Sequence, residues 1–567
     1  MYSFLRNKQI TAILFLFIIS SSARAQAPAW QTAAAVFGTG AVGGDALISA
    51  TAGDAFGNVY VVGSFSGSVN FSGIILNSGL GNDMFVAKWS SVSGRFIWVQ
   101  RAGGTGGLSQ IDAFAVAVSG TSVYVTGRFY QTVTIGSTNL TSAGAYDVFV
   151  AKLTDAGPTG SFAWAQRAGG TSNDIAYSIA ARGTDVYVAG RFDSITANFG
   201  SNVLTATLAT TADFFLAKLN DTGTTGGFTW AQQGVGAVAQ VAVSGTNVYV
   251  TGSFSGGAAF GAIRLTGYDD AFVAKLTDLG STGIFVWAQR IGGIYSDYAS
   301  SVVVNGADVY VAGTFTGTVN FGNTVLTSGA LIPVVYANIF VTKLTDLGSA
   351  SSYVWAKQVG GLKNERGPIL AIDGSTVYMA GNFQGSIMFG STVLTCATNQ
   401  AMDADVFIAK LIDVVGNSNF AWAKKAGGVR FDYATGVAVS GGKVFTCGVV
   451  EPPASFDNIM ISQAGARHSF LASLIDGPLA VASPSKLIGF NISPNPAHGR
   501  ATMQLPLMPG TTTATLTVLN ILGRAVHTQT APTNARAELD LTGLAPGLYA
   551  VRVTVGTQIA TRRLVVE

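Results

Sequence analysis

One segment of this chain is written seven times. An aromatic-x-Trp triplet recurs as Phe96/Trp98, Phe162/Trp164, Phe228/Trp230, Phe285/Trp287, Tyr353/Trp355 and Phe420/Trp422, and Trp30 supplies a seventh copy with Pro28 in the aromatic's place. A V-Y-V-x-G signature is centred on Tyr60, Tyr124, Tyr187, Tyr249, Tyr310, Tyr378 and, as a variant, Phe445. An F-V-A-K-like run ends at Lys88, Lys152, Lys218, Lys275, Lys343 and Lys410, and its seventh copy is Phe470-Leu471-Ala472-Ser473. The spacing from Tyr60 to Phe445 makes the unit about 64 residues long. A fixed period of this kind outweighs every local signal, because each unit must bury its apolar face against the next.

Within a unit the apolar residues alternate over short runs such as S-V-A-V, V-Y-V-A-G-x-F and F-G-x-x-x-L-T, separated by Gly, Asn, Asp and Thr. Period two bounded by turn formers predicts strands, and no stretch carries a useful helical period. The 71 glycines and the 11% of charged residues suit many tight turns between short strands. About four strands per unit, in seven units, predict an all-β chain whose body is a seven-bladed β-propeller. An open solenoid is the rival, but its rungs are usually much shorter. The two ends of the repeat also fit a circle. Phe470 to Leu474 has no Trp strand after it and Trp30 has no F-V-A-K-like strand before it, so these two orphans are expected to pair and complete the seventh blade.

The pattern W-A-Q-R-x-G-G, D-x-A-x-x-V-A-V, G-x-x-V-Y-V-x-G-x-F over residues 30–474 resembles the bacterial SBBP-type β-propeller repeat. That resemblance implies an architecture and brings no catalytic residues with it.

After Leu474 the repeat stops. Residues 477–488 read as a Pro/Ser/Ala linker, and 489–567 alternate as strands around turns at Gly523-Arg524 and Pro546-Gly547, the pattern of a small Ig-like β-sandwich. The landmarks here are Ser493-Pro494-Asn495-Pro496, Ile521 to Arg524 with Gly523 and Arg524, Leu544 to Val553 with Gly547 and Tyr549, and a terminal R-R-L-V-V. In that order they resemble the type A sorting domain of the Bacteroidota type IX secretion system. The resemblance implies recognition by an outer-membrane translocon and removal by a sortase-like peptidase.

At the other end, Arg6 and Lys8, an apolar run from Ile10 to Ile19 and a cleavage site between Ala25 and Gln26 read as a signal peptide over 1–25. The run is too short to span a bilayer, which takes roughly 20 residues, and no later stretch stays apolar long enough. The expected domains are therefore the signal at 1–25, the propeller at 26–476, the linker at 477–488 and the sorting domain at 489–567. The product is expected at the cell surface or in the medium, with no transmembrane span. Three of the 32 basic residues lie in the signal, so the rest balance the 29 acids; with no basic patch, nucleic acid is not an expected partner. Cys396 and Cys447, the only two cysteines, are expected as small buried thiols, a disulfide staying open.

Chemistry is sparse. His468, His498 and His527 are the only histidines, the last two in the C-terminal module, which leaves no Ser–His–Asp or multi-His arrangement in the repeats. An acid recurs ahead of the S-V-A-V strand at Asp45, Asp112, Asp174, Asp297, Glu365 and Asp432, with Gly236 in the fourth repeat. A ring of carboxylates is a weak candidate for a cation site, through Asp112, Asp174, Asp297, Glu365 and Asp432; the favoured role is to fix the turn into each blade. A second acid at Asp83, Asp147, Asp213, Asp270 and Asp405, replaced by Asn338 and His468, reads as turn chemistry, and the strand-ending lysines as solvated edge charges. Binding is expected where the repeat is broken, at Ser328 to Asn338, Leu362 to Arg366 and Thr395 to Asp405. The expected function is a non-catalytic, cofactor-free module for an unknown extracellular ligand: a glycan, a protein or an envelope component. The alternatives are a polysaccharide-acting enzyme with paired carboxylates and a purely structural envelope protein.

Overall fold

The computed structural model describes residues 27–39, 44–104, 106–207, 213–331, 334–361, 367–397, 403–414, 417–463, 467–476, 492–505, 513–520, 525–533, 535–555 and 558–567. The signal region with Ala25 and Gln26, the linker, Glu365, Gly523 and Arg524 lie outside them. The chain divides into two compact units, Met1–Gly477 and Pro478–Glu567.

In the first unit, strand pairing follows seven four-strand antiparallel series among the described residues, called sheets 1 to 7 by their inner strands Asp45–Gly53, Gln110–Ser119, Asp174–Arg182, Ala237–Ser244, Tyr298–Asn305, Ile369–Asp373 and Tyr433–Ser440. The third and fourth run together into one eight-stranded sheet, and the sixth and seventh each extend to six strands through an added hairpin. Sheet 2 is representative. Its strands, from inside outwards, are Gln110–Ser119, Ser122–Tyr130, Asp147–Asp155 and Gly160–Ala168. The inner strand of each sheet touches that of the next, and Asp45–Gly53 of the first touches Tyr433–Ser440 of the last. The circle is thereby closed, the arrangement of a β-propeller. The closing pairing joins the two orphans as expected: Trp30 lies opposite Leu474 and Ala35 opposite Phe470, so the outer strand of sheet 7 comes from the start of the chain.

Burial explains the sequence pattern. The V-Y-V-x-G strands lie mid-sheet with a sheet packed on either face, so Val59 to Gly63 are all buried and alternation disappears there. Each sheet also carries an outboard hairpin covered on one side only. There the alternation returns, as in Thr132–Ile135 with Val133 and Ile135 in and both threonines out.

The strand-ending lysines correct the sequence reading. Lys88, Lys152, Lys218 and Lys275 are buried, not solvated. Each crosses to the aspartate three residues past the equivalent lysine of the next sheet. Asp221 accepts Lys152 Nζ at 2.5 Å, Tyr124 Oη at 2.6 Å, Trp164 Nε1 at 2.9 Å and its own turn's Gly223 N–H at 2.9 Å. Asp155, Asp278, Asp346, Asp413 and Asp476 repeat this Tyr–Lys–Trp clasp for the other sheets up to the sixth. Between sheets 7 and 1 every polar member except Trp30 is gone: Phe445 replaces the tyrosine, Ser473 the lysine and Ser91 the aspartate. Trp30 instead donates to the Lys425 carbonyl at 3.3 Å and packs edge-on against Phe456.

The second unit holds a three-stranded and a four-stranded antiparallel sheet, joined by a core that includes Met503, Leu539, Leu516 and Val551. Asn495 of the S-P-N-P motif ties the start of the unit to its last strand, donating to the Arg563 carbonyl at 2.8 Å and accepting from Val565 N–H at 2.9 Å. Tyr549 Oη donates to the Ala545 carbonyl at 2.8 Å, fixing the turn before Gly547. No helix among the described residues is long and apolar enough to cross a membrane. Cys396 and Cys447 are free thiols in separate cores, pushed by burial up to about 11 and about 12.

Candidate functional site

The recurring acids meet one end of the ring, where inner strands start and second strands finish. Asp174, Asp297 and Asp432 share a register, opposite Phe192, Phe315 and Val450 by extension of their ladders. Asp112 and Asp45 do not: Ile111 and Ala46 hold that register, so these two acids belong to the other sheet face. The single six-membered carboxylate series expected from sequence therefore breaks into different positions. Asp174 accepts Gly170 N–H at 2.6 Å, Asp193 N–H at 3.1 Å and Ser194 Oγ at 2.8 Å. Asp297 accepts Gly293 N–H at 2.8 Å and Thr316 N–H at 3.0 Å, and Asp432 accepts Gly428 N–H at 2.7 Å and Glu451 N–H at 2.8 Å. Each carboxylate organises its own turn. Asp112 instead holds Arg128, with Nε at 3.0 Å.

The second acids sit beside them, each in its own sheet. Asp147 pairs with Arg167, Asp270 with Arg290 at 2.5 Å, Asp405 with Lys425 at 2.7 Å and Asp83 with Arg101 at 2.5 Å. Asp213 accepts Thr207 N–H at 2.6 Å. Asn338 and His468 occupy buried equivalents.

Burial dominates the titration of the turn-setting acids. It pushes Asp432 up to about 7 and Asp297 up to about 6, against the opposing backbone N–H bonds, with the nearby Asp405 and Asp270 adding to the rise. A carboxyl raised in the fold contributes stability that is complete below its unfolded value of about 3.9 and is lost as pH climbs through the folded value. Thermal melting is therefore expected to be higher by a few degrees at about pH 5 than at about pH 8. Asp432→Asn, which keeps an acceptor for Gly428, should flatten that slope. Added Ca²⁺ should leave the melting temperature unchanged. A calcium-dependent rise abolished by Asp297→Ala or Asp432→Ala would replace the turn-setting role with a cation site.

The axis of the ring is shaped by a repeated irregularity. Among the described residues, six inner strands carry a β-bulge at the same place, between Ile48 and Ala50, Ala113 and Ala115, Ala176 and Ser178, Val238 and Gln240, Ala299 and Ser301, and Ala434 and Gly436. The extra residues, Ser49, Phe114, Tyr177, Ala239, Ser300 and Thr435, line an axial cavity of about 330 Å³ to which all seven inner strands contribute. A bulge re-aims a side chain in this way without breaking the sheet. Phe114 and Tyr177, from neighbouring sheets, stack with centroids 6.4 Å apart at 29°.

From Phe114 a run of flat groups leads outwards across sheet 2. The Arg128 guanidinium lies 5.5 Å from the Phe114 ring and 4.3 Å from that of Tyr146, and Tyr146 lies 5.6 Å from Tyr130. Tyr146 Oη donates to Gln110. The half-buried Tyr130 opens on a groove of about 740 Å³ whose other polar walls are neutral, among them Gln131, Thr132, Asn139, Thr141 and Ser142. No carboxylate lines either cavity.

The sequence places binding on the broken repeats. Of those, 332–333, 362–366 and 398–402 lie outside the described residues, and Ala330–Leu331 pairs with Val334–Val335. Phe114, Tyr130 and Tyr177 were missed. For Phe114 and Tyr177 a quieter signal was present, because the residue at the bulge changes from repeat to repeat, from Ser49 to Phe114, Tyr177, Ala239, Ser300 and Thr435.

The model of the secretion system C-terminal sorting domain matches residues 491–567. The protein is accordingly exported to the cell surface or the extracellular space, and its last unit engages the secretion machinery. Among curated proteins no sequence matches. Similar solved structures include the Trypanosoma rangeli sialidase in complex with the inhibitor DANA, at 10% identity over 79% of this chain and 83% of that one with a TM-score of 0.32. A mutant of the same sialidase displaying trans-sialidase activity matches at 10% identity over 92% and 83%, also with a TM-score of 0.32.

Proposed function

We propose that this is a seven-bladed propeller of the SBBP type, carried out by a type IX translocon and processed by a sortase-like peptidase, which binds a glycan without performing chemistry on it. The observation that carries the glycan reading is the groove on sheet 2. A half-buried tyrosine face beside a wall of neutral hydroxyl and amide groups suits the alternating C–H faces and hydroxyl rims of sugar rings. The volume of about 740 Å³ lies within the roughly 300–1,000 Å³ of small-molecule sites. The non-catalytic reading draws on the acids. Asp174, Asp297 and Asp432 spend their oxygens on backbone N–H groups, whereas a glycosidase needs one carboxyl to give a proton and another to attack or activate water.

The test is a binding screen of neutral and acidic oligosaccharides on the signal-free chain, with a parallel assay for new reducing ends. A neutral oligosaccharide is expected to bind. Tyr130→Ala is expected to weaken it about tenfold, a loss near 1.4 kcal/mol. Release of reducing ends would move the protein to the carboxylate-enzyme alternative, and affinity untouched by Tyr130→Ala would take the site off sheet 2.

A further inference from the structure

Sheet 4 is where the repeat is shortened. Between sheets 2 and 3, the turn-setting Asp174 follows Trp164 by ten positions; between sheets 3 and 4, its register equivalent, Gly236, follows Trp230 by only six. The missing residues are the turn that supplies Gly170 N–H to Asp174. Sheet 4 has thus lost both the carboxylate that fills this corner and the loop that covers it. A pocket of about 310 Å³ opens there, with Val235, Gly236, Ala237 and Phe254 among its apolar walls and Asp269, Tyr298, Ser253 and Ser255 at its polar side. Tyr298 is 49% exposed.

The charges around it are unequal. Asp270 is neutralised by Arg290 at 2.5 and 3.2 Å, and Asp297 is engaged by two backbone N–H groups. Asp269 accepts only the Ser296 hydroxyl, at 3.3 Å, and pairs with no basic side chain among the described residues. A carboxylate without a counter-charge, a phenol ring and a small apolar wall therefore face one cavity. An anion is repelled by this set, and beyond Ser253 and Ser255 a ring of hydroxyls finds few directional partners on a wall of Val235, Ala237 and Phe254. An alkylammonium group satisfies all three parts: its charge meets Asp269, its polarised C–H groups meet the Tyr298 ring, and its carbons meet the apolar wall. We propose that this pocket binds a compact organic cation of the alkylammonium class, independently of the groove on sheet 2.

The experiment titrates the signal-free chain with n-butylammonium and tetramethylammonium, using n-butanol and butyrate as neutral and anionic controls. Saturable one-to-one binding of an ammonium probe is expected, weakened by salt, with the controls silent. Asp269→Asn, nearly isosteric, is expected to reduce affinity at least about tenfold, and Tyr298→Leu to reduce it several-fold. Both variants should melt with the wild type and keep Tyr130-dependent oligosaccharide binding, which separates failure of this site from failure of the other. An Nα-acetyl-lysine amide arm distinguishes a protein side chain from a free amine as the source of the cation. Butanol binding as well as butylammonium, or Asp269→Asn binding undiminished, would overturn the proposal.

Discussion

Asp278→Ala is expected to destabilise the propeller by about 3–5 kcal/mol, the cost of leaving a buried charge without its partner. Asp278 is 4% exposed at its side chain and accepts Lys218 Nζ at 2.6 Å, Tyr187 Oη at 2.7 Å, Trp230 Nε1 at 3.0 Å and Gly280 N–H at 2.9 Å. Burial alone pushes its carboxyl up, yet Lys218, Tyr187, Gly280 and Trp230 together hold it below the ordinary value, so the charged form is the one the fold keeps. Removing the carboxylate takes away the main counter-charge of Lys218, whose other partner, Asp185 at 2.9 Å, is more exposed. The seam between sheets 7 and 1 supplies the control, because there Phe445, Ser473 and Ser91 stand where Tyr, Lys and Asp stand elsewhere. The combined Tyr187→Phe, Lys218→Ser and Asp278→Ser variant should accordingly be less destabilised than Asp278→Ala alone, a strongly non-additive result. Denaturant unfolding of the two variants decides it. A triple variant weaker than the single would mean that the clasp gives stability as a set of independent bonds.

Deletion of residues 489–567 is expected to abolish delivery to the surface and the medium entirely while leaving the propeller folded. The sorting-domain match falls within this segment, and the segment has its own core, from Ala497 to Val566. The first unit has its own cores and closes its own ring through Trp30–Gly38 and His468–Ile475, all before Gly477. Cell fractionation with a thermal melt of the truncated protein checks both halves of the expectation. Truncated protein at the surface would separate export from the C-terminal unit, and a truncated protein that no longer melts cooperatively would join the two units into one folding body.

Much of the ring was legible because a repeat states its own architecture. Three markers, each present seven times, give the sheets, and the unmatched ends at Trp30 and Phe470 to Leu474 give the closure, since a strand without a hydrogen-bonding neighbour must find one. The lysines were misread for a physical reason. Along one strand a Lys after F-V-A looks like an edge charge; its partner lies about 60 to 70 residues away in the next sheet, and only the packing of sheet on sheet shows that Lys152 and Asp221 meet. The recurring acids were grouped as one series although their count already differs: Asp174 lies 13 residues ahead of its marker tyrosine and Asp112 only 12. The ladder shows what that offset means, since Ile111 holds the Asp174 register and a shift of one in a strand moves a side chain to the opposite face.

By itself the sequence determined the class, the period, the closure and the export module, all properties of local patterns and their count. The sites were decided by tertiary structure. The Phe114–Tyr177 stack needs bulges on two different strands, the groove needs Tyr130 and an outboard hairpin brought together, and the pocket at Gly236 exists because a shortened turn leaves a volume unfilled. A cavity is defined by the atoms around it, and those atoms come from segments that only the closed ring makes neighbours.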